Sequence, residues 1–308
     1  MTAPTITDEV LTAFAETIGA DGPVAVEGRR TRWALGGELA ANTRLVSAPA
    51  GVVAYQPAEM TVRVRAGTPV AELDAALAEH GQRSALPARG GTVGGALAVG
   101  ENDLCTLGRG SVRSAVLEIR YVSGEGELVT GGGPVVKNVS GFNLPKLMVG
   151  SLGSLGLFAE AVLRTNPIPQ VGRWLAAARV DPTEVFDALL RPSAVLWDGT
   201  STWVLLEGHL PDVEAEADAL ERLASFREVD GPPALPPHRW RLPPAAITTL
   251  DTAATGSFVA SIGVGTTWAE HAQPPQRPDR TSLEIEDRMK ALFDPAGRLN
   301  PGRRPGRG

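Results

Sequence analysis

Gly90-Gly91-Thr92-Val93-Gly94-Gly95-Ala96-Leu97-Ala98-Val99-Gly100 is the densest glycine cluster with a chemical reading in this 308-residue chain. With so few Cβ atoms, its backbone N–H groups can come close to a pyrophosphate or a sugar, and peptide dipoles can replace water around an anion. The same composition suits backbone packed tightly on backbone, and the cluster by itself leaves both readings open. It is not a dinucleotide fingerprint. No strand–GxGxxG–helix arrangement and no GK[ST] ending occur, which argues against NAD(P)-Rossmann and Walker-type sites.

Upstream, Thr61-Val62-Arg63-Val64-Arg65 alternates as a half-buried strand does. Gly67-Thr68-Pro69 then turns the chain, with Thr68 expected as N-cap of a helix whose apolar face is Val70, Leu73, Ala76 and Leu77. An opening helix over 8–18 places Val10, Leu11, Phe14 and Ile18 on one face, and a short strand over 24–26 ends at Gly28. Downstream, residues 115–122 and 127–130 read as strands joined by Gly124-Glu125-Gly126, a hairpin signal. Hairpins argue against a wholly parallel, doubly wound sheet and for mixed α+β. The two prolines of Asn166-Pro167-Ile168-Pro169 mark a domain boundary, giving domains 1–168 and 169–308. Beyond it the expected order is strand 174–180, helix 182–190, strands 195–197 and 203–206 and helix 212–223, a β-α-β-β-α, ferredoxin-like arrangement. A proline-rich loop follows over 231–237. A last helix over 283–293 leads into a tail expected to be mobile after about Arg303.

Hydrophobic residues make up 43% and charged residues 21% of the chain, values of a globular protein rather than a disordered one. A net charge of −6 offers no basic field for nucleic acid. The single cysteine, Cys105, cannot form an internal disulfide, a cysteine-clustered zinc site or a cysteine-held iron–sulfur cluster. His80, His209, His238 and His271 form no HExxH pair, so no metal is expected. The acidic N-terminus is the wrong charge for a secretory signal, and residues 252–269, though uncharged, are broken by threonine and glycine; a cytoplasmic protein without a membrane span is expected.

A second cluster, Lys137-Asn138-Val139-Ser140-Gly141, runs on to Gly150-Ser151-Leu152-Gly153-Ser154-Leu155-Gly156, where glycine recurs every third residue. With Thr92-Val93-Gly94-Gly95 and the tail Phe293-Asp294-Pro295-Ala296-Gly297-Arg298-Leu299-Asn300-Pro301-Gly302, four ordered motifs resemble the FAD-binding PCMH-type (vanillyl-alcohol oxidase-like) flavoproteins. Within that family the chain is most similar to the FAD-binding E subunits of bacterial glycolate oxidases. The likeness spans about the first 168 residues, then Trp240-Arg241, the last helix and the tail.

The resemblance implies a two-lobed FAD-binding domain followed by a smaller ferredoxin-like α+β cap, the last helix and tail returning to the FAD domain. It maps the pyrophosphate turn to Gly28-Arg29-Arg30-Thr31. Family members carry more glycine there, so either the guanidinium groups pair with phosphate or the fit is impaired. It puts Gly91, Thr92, Gly94 and Gly95 against FAD as backbone and hydroxyl donors, Asn138 and Gly141 near the flavin or its ribityl chain, and Gly156 and Leu157 on the adenine side. No tethering motif is present, so FAD would be noncovalent. For chemistry on a 2-hydroxy acid such as glycolate or lactate, His238 as base and Arg241 as carboxylate clamp are the sole, thin candidates after the boundary. Their scarcity points to oxidation in a partner, a larger flavoprotein subunit, with electrons leaving through an iron–sulfur subunit. A stand-alone FAD-dependent dehydrogenase and a cofactor-free scaffold that docks partners are the rival readings.

Overall fold

A computed structural model describes residues 8–133, 143–274 and 280–305. The chain forms two compact units: Met1–Asn102, Val112–Pro167 and Gln276–Gly308 make the first, Asp103–Ser111 and Ile168–Pro275 the second. The prolines at 167 and 169 thus flank the main crossing. The excursion Asp103–Ser111 has no compositional mark, and the sequence reading put it with the first domain.

In the first unit, helix α1 (Glu9–Ile18) is capped by Asp8, whose carboxylate accepts from the Val10 and Leu11 amides at 3.1 and 3.3 Å. Its buried face is Leu11, Phe14, Ala15 and Ile18; Val10, expected there, is 49% exposed. The face packs on two parallel strands, β1 (Val24–Glu27) and β2 (Arg44–Ser47). From the tail, Leu299 bridges to Val24 in parallel and joins the same apolar cluster.

The larger sheet has five antiparallel strands, β3 (Val52–Gln56), β4 (Thr61–Arg65), β5 (Val116–Val122), β6 (Leu128–Gly132) and β7 (Leu157–Arg164), in the order β3-β4-β7-β5-β6. The expected hairpin is β5–β6, with Gly126 at φ +83°. Helices α2 (Val70–Ala78) and α3 (Val93–Val99) supply Leu73, Leu77, Val93 and Leu97 to the core over this sheet, all fully buried. Each contributes about 1.5–3 kcal/mol of burial. Thr68 does not cap α2. Its hydroxyl accepts from the Gly51 amide at 2.8 Å, a tertiary contact that outcompetes the local one.

The second unit is a seven-stranded antiparallel sheet of β8 (Val171–Ala178), β9 (Ala194–Trp197), β10 (Ser201–Gly208), β11 (Arg227–Val229), β12 (His238–Arg241), β13 (Phe258–Ser261) and β14 (Thr266–Ala269). Its order is β11-β8-β10-β9-β13-β14-β12. The first four strands, in the order fourth-first-third-second with helices α4 (Pro182–Ala188) and α5 (Leu210–Glu221), are the expected ferredoxin-like core. Both helices pack on one face through Val185, Val213 and Leu220. On the other face Leu196, Leu205, Val259 and Trp268 meet Leu104 and Cys105 of the excursion, where Cys105 serves as buried filler.

Candidate cofactor site

A cleft that opens to solvent lies wholly within the first unit. Its wall begins where β1 ends. Gly28, Arg29, Arg30 and Thr31 form a turn in which Arg30 takes the left-handed conformation, φ +54°. Among the described residues, the N–H groups of these four donate to no protein acceptor. Successive open amides around a left-handed residue make a concave anion site. A Cβ on Gly28 would stand 2.7 Å from Thr92 Oγ1, so the missing side chain lets this turn close against the start of α3.

Thr92 is the N-cap of α3, accepting from the Gly95 amide at 3.2 Å. The Gly94 amide donates to Ala66 O at 2.7 Å, and a Cβ there would lie 2.8 Å from that of Ala66. Gly94 and Gly95 therefore line the cavity with their amides already used. They allow close approach, while the open backbone donors on this wall are those of the turn. Gly91, at φ +93°, also lines the cavity, as does Leu157. Gly156 does not: a Cβ there would strike the Tyr121 ring and lie 2.5 Å from Met148 Cε, so its role is internal packing. Asn138 and Gly141 fall outside the described residues.

The arginines of the turn are arranged around the cavity by carboxylates. Arg30 Nε donates to Glu27 at 2.8 Å, and its guanidinium stands 4.9 Å from the Trp33 ring centroid. Arg29 is exposed and, among the described residues, makes no ion pair or side-chain hydrogen bond. Arg32 pairs with buried Glu101, which Arg89 also contacts at 3.0 Å. The floor is apolar and small: Ala48, Ala66, Ala96, Leu152 and Phe158. Among the described residues, three polar atoms of the lining are buried without a hydrogen-bond partner: Arg32 Nη2, Arg303 Nε and Asn300 Oδ1. An open-amide turn, a wall stripped of Cβ atoms and orphaned polar atoms are the features that an elongated, phosphate-bearing molecule with flat rings would satisfy.

The family model described as "FAD binding domain" matches residues 1–132. The match takes in β1, the Gly28–Thr31 turn and α3. Glycolate oxidase subunit GlcE of Escherichia coli (strain K12) is 32% identical over 210 residues, 64% of this chain and 59% of that protein. D-2-hydroxyglutarate dehydrogenase of Xanthomonas citri pv. viticola is 34% identical over 141 residues, 44% of this chain and 30% of that one. The chain thus spans well under two thirds of the length of these curated relatives. A solved alkyldihydroxyacetonephosphate synthase has the same fold at a TM-score of 0.68 and 14% identity, covering 97% of this chain and 75% of that one. FAD is the cofactor of the domain, and the cavity's residues fit it. Arg29 and Arg30 do not close the cleft, since the Gly28–Thr31 amides remain open beside them.

Sequence reasoning missed several walls of the FAD domain: Trp33, Ala66, Gly153, Asn300 and Arg303. Asn300 lay within a quoted motif, but nothing local says that the tail returns to β1. Arg303 and Arg304 correct the expectation of a mobile tail. Arg303 Nη2 donates to Trp33 O at 2.7 Å and the Arg304 amide to Gly36 O at 2.9 Å. Burial lowers the Arg303 guanidinium pKa, although arginine stays protonated at neutral pH. His238 and Arg241 stand on β12, which pairs with β14 just after the proline-rich loop. Three residues apart on a strand, they face opposite sides of the sheet and do not converge on one ligand. Among the described residues, no helix is long and apolar enough to cross a membrane.

Proposed function

We propose that this chain is an FAD-dependent oxidoreductase subunit of the glycolate oxidase E type, working in a cytoplasmic complex that oxidises a small 2-hydroxy acid, glycolate or lactate, and passes electrons to another subunit. The observation that carries the reading is the open-amide turn of Gly28–Thr31 set against the Thr92 end of α3. When bound, FAD would supply a redox centre able to take up and pass on electrons that originate in the substrate. The chain's own residues bind and orient: the turn amides hold the pyrophosphate noncovalently, with Arg29 adding a counter-charge, while Trp33, Leu152 and Phe158 exclude water from the ring system.

A base and a carboxylate clamp are the further requirements of hydroxy-acid oxidation, and His238 with Arg241 does not provide them as a pair. This favours chemistry in a larger flavoprotein partner, with an iron–sulfur subunit as onward acceptor. Arg30, one of the two arginines that favour the scaffold reading, is drawn onto Glu27, which weighs against it. The test is purification, FAD addition and spectroscopy, then turnover with an artificial acceptor, alone and with partner subunits. Flavin uptake with turnover only in the reconstituted complex is expected. Turnover by the chain alone points to the stand-alone dehydrogenase, and failure to take up FAD to the scaffold.

A further inference from the structure

Asn300 is 5% exposed, lines the cavity and holds a left-handed backbone, φ +42°, which asparagine tolerates better than most residues. Its main chain is fixed on both sides: the amide donates to Val24 O at 2.9 Å, and the carbonyl accepts from the Arg303 amide at 3.2 Å. Its side chain is fixed too. Nδ2 donates to Leu152 O at 2.9 Å, which settles the orientation of the amide and leaves Oδ1 buried with no donor. Gly153 makes room for that side chain: a Cβ there would collide with Nδ2 and come within 3.5 Å of Leu157, so only glycine lets Asn300 seat against Leu152. A rigid, unpaired acceptor among Leu152, Gly153 and Leu157 suits a small flat ring that brings one amino donor.

We infer that Asn300 Oδ1 accepts from the exocyclic amine of the adenine ring, so that Asn300 selects a 6-amino purine dinucleotide over its 6-oxo counterpart. The inference rests on the FAD reading and adds the residue that discriminates the base. A 6-oxo purine would set oxygen against oxygen here, and a buried acceptor left unpaired is costly.

The test is a flavin titration of the full chain with FAD and with its deaminated form, flavin–hypoxanthine dinucleotide. The wild type is expected to bind FAD at least about tenfold more tightly. Asn300→Leu and Asn300→Gly, the latter free of strain at this φ, should bring the ratio near one. Equal affinities in the wild type overturn the inference, as does a ratio that survives in either folded variant. Should neither variant fold, the wild-type ratio decides. If the wild type binds neither dinucleotide, the FAD reading itself falls and this inference with it, an outcome distinct from binding both equally.

Discussion

The guanidinium of Arg303 lies 4.1 Å from the centroid of the Trp33 ring and donates to the Trp33 carbonyl at 2.7 Å. One side chain from the tail thereby sets both the ring and the backbone of a cavity wall. A desolvated cation–π contact contributes about 2 kcal/mol and a charged hydrogen bond about 1.5–3 kcal/mol, so neither is negligible. Arg303→Ala is expected to weaken FAD about tenfold or more, the equivalent of about 1.4 kcal/mol, and to expose the tail to trypsin. Arg303→Lys should restore little, because an ammonium does not reproduce the planar stack. Flavin titration and timed proteolysis check both statements.

Two glycines with similar crowding should separate by readout. Gly94→Ala sets a methyl 2.8 Å from that of Ala66 at the cavity, and Gly156→Ala sets one 2.5 Å from Met148 Cε away from it. Overpacking of this kind costs about 1–3 kcal/mol, so both variants should melt earlier. Only Gly94→Ala should also raise the FAD dissociation constant. An equal binding loss in Gly156→Ala would put that glycine back in the cofactor site.

Arg29 and Arg30 are adjacent yet differently placed. Arg30 is spent on Glu27 in a half-exposed i,i+3 pair worth about 0–1 kcal/mol, whereas Arg29 leaves its charge available to a pyrophosphate. Arg29→Ala should leave the melting temperature unchanged and flatten the salt dependence of FAD binding. An unaltered salt slope would show that the phosphates sit elsewhere.

Acid stability should depend on Asp8. Burial pushes its carboxyl up, but the Leu11 amide, the Arg65 guanidinium and the Val10 amide together outweigh that and hold it below the ordinary 3.8. A carboxylate depressed in the folded state adds stability that is fully present above the unfolded value and is lost as pH falls through the folded one. Asp8→Ala should cost about 0.5–2 kcal/mol at neutral pH through the lost cap. Asp8→Asn keeps the cap and loses the charge, so its smaller deficit should vanish as pH drops below 3.8. Denaturant midpoints against pH test this.

What was legible in the sequence was local. The β5–β6 hairpin followed from Gly124 and Gly126, α1 from its apolar spacing, and the ferredoxin-like order from alternating runs. The cavity's glycines were found because a missing Cβ is visible in the sequence itself. Errors arose wherever a distant partner decided the outcome. Thr68 bonds Gly51 rather than its own helix, and His238 to Arg241 become a strand because residues 266–269 lie beside them. Asn300 and Arg303 reach the cavity through the bridge of Leu299 to Val24, a pairing that no local pattern reveals.

The nine-residue detour at Asp103–Ser111 bears on how this protein can be taken apart. Cutting the gene at the proline pair would strand Leu104 and Cys105 on the wrong fragment, leaving the second unit's sheet with a bared greasy side. The same cut would carry Leu299 away from Val24. Neither half would inherit everything it folds around, so exchange of the second unit between relatives would have to transplant a loop from one fragment and return a tail to the other.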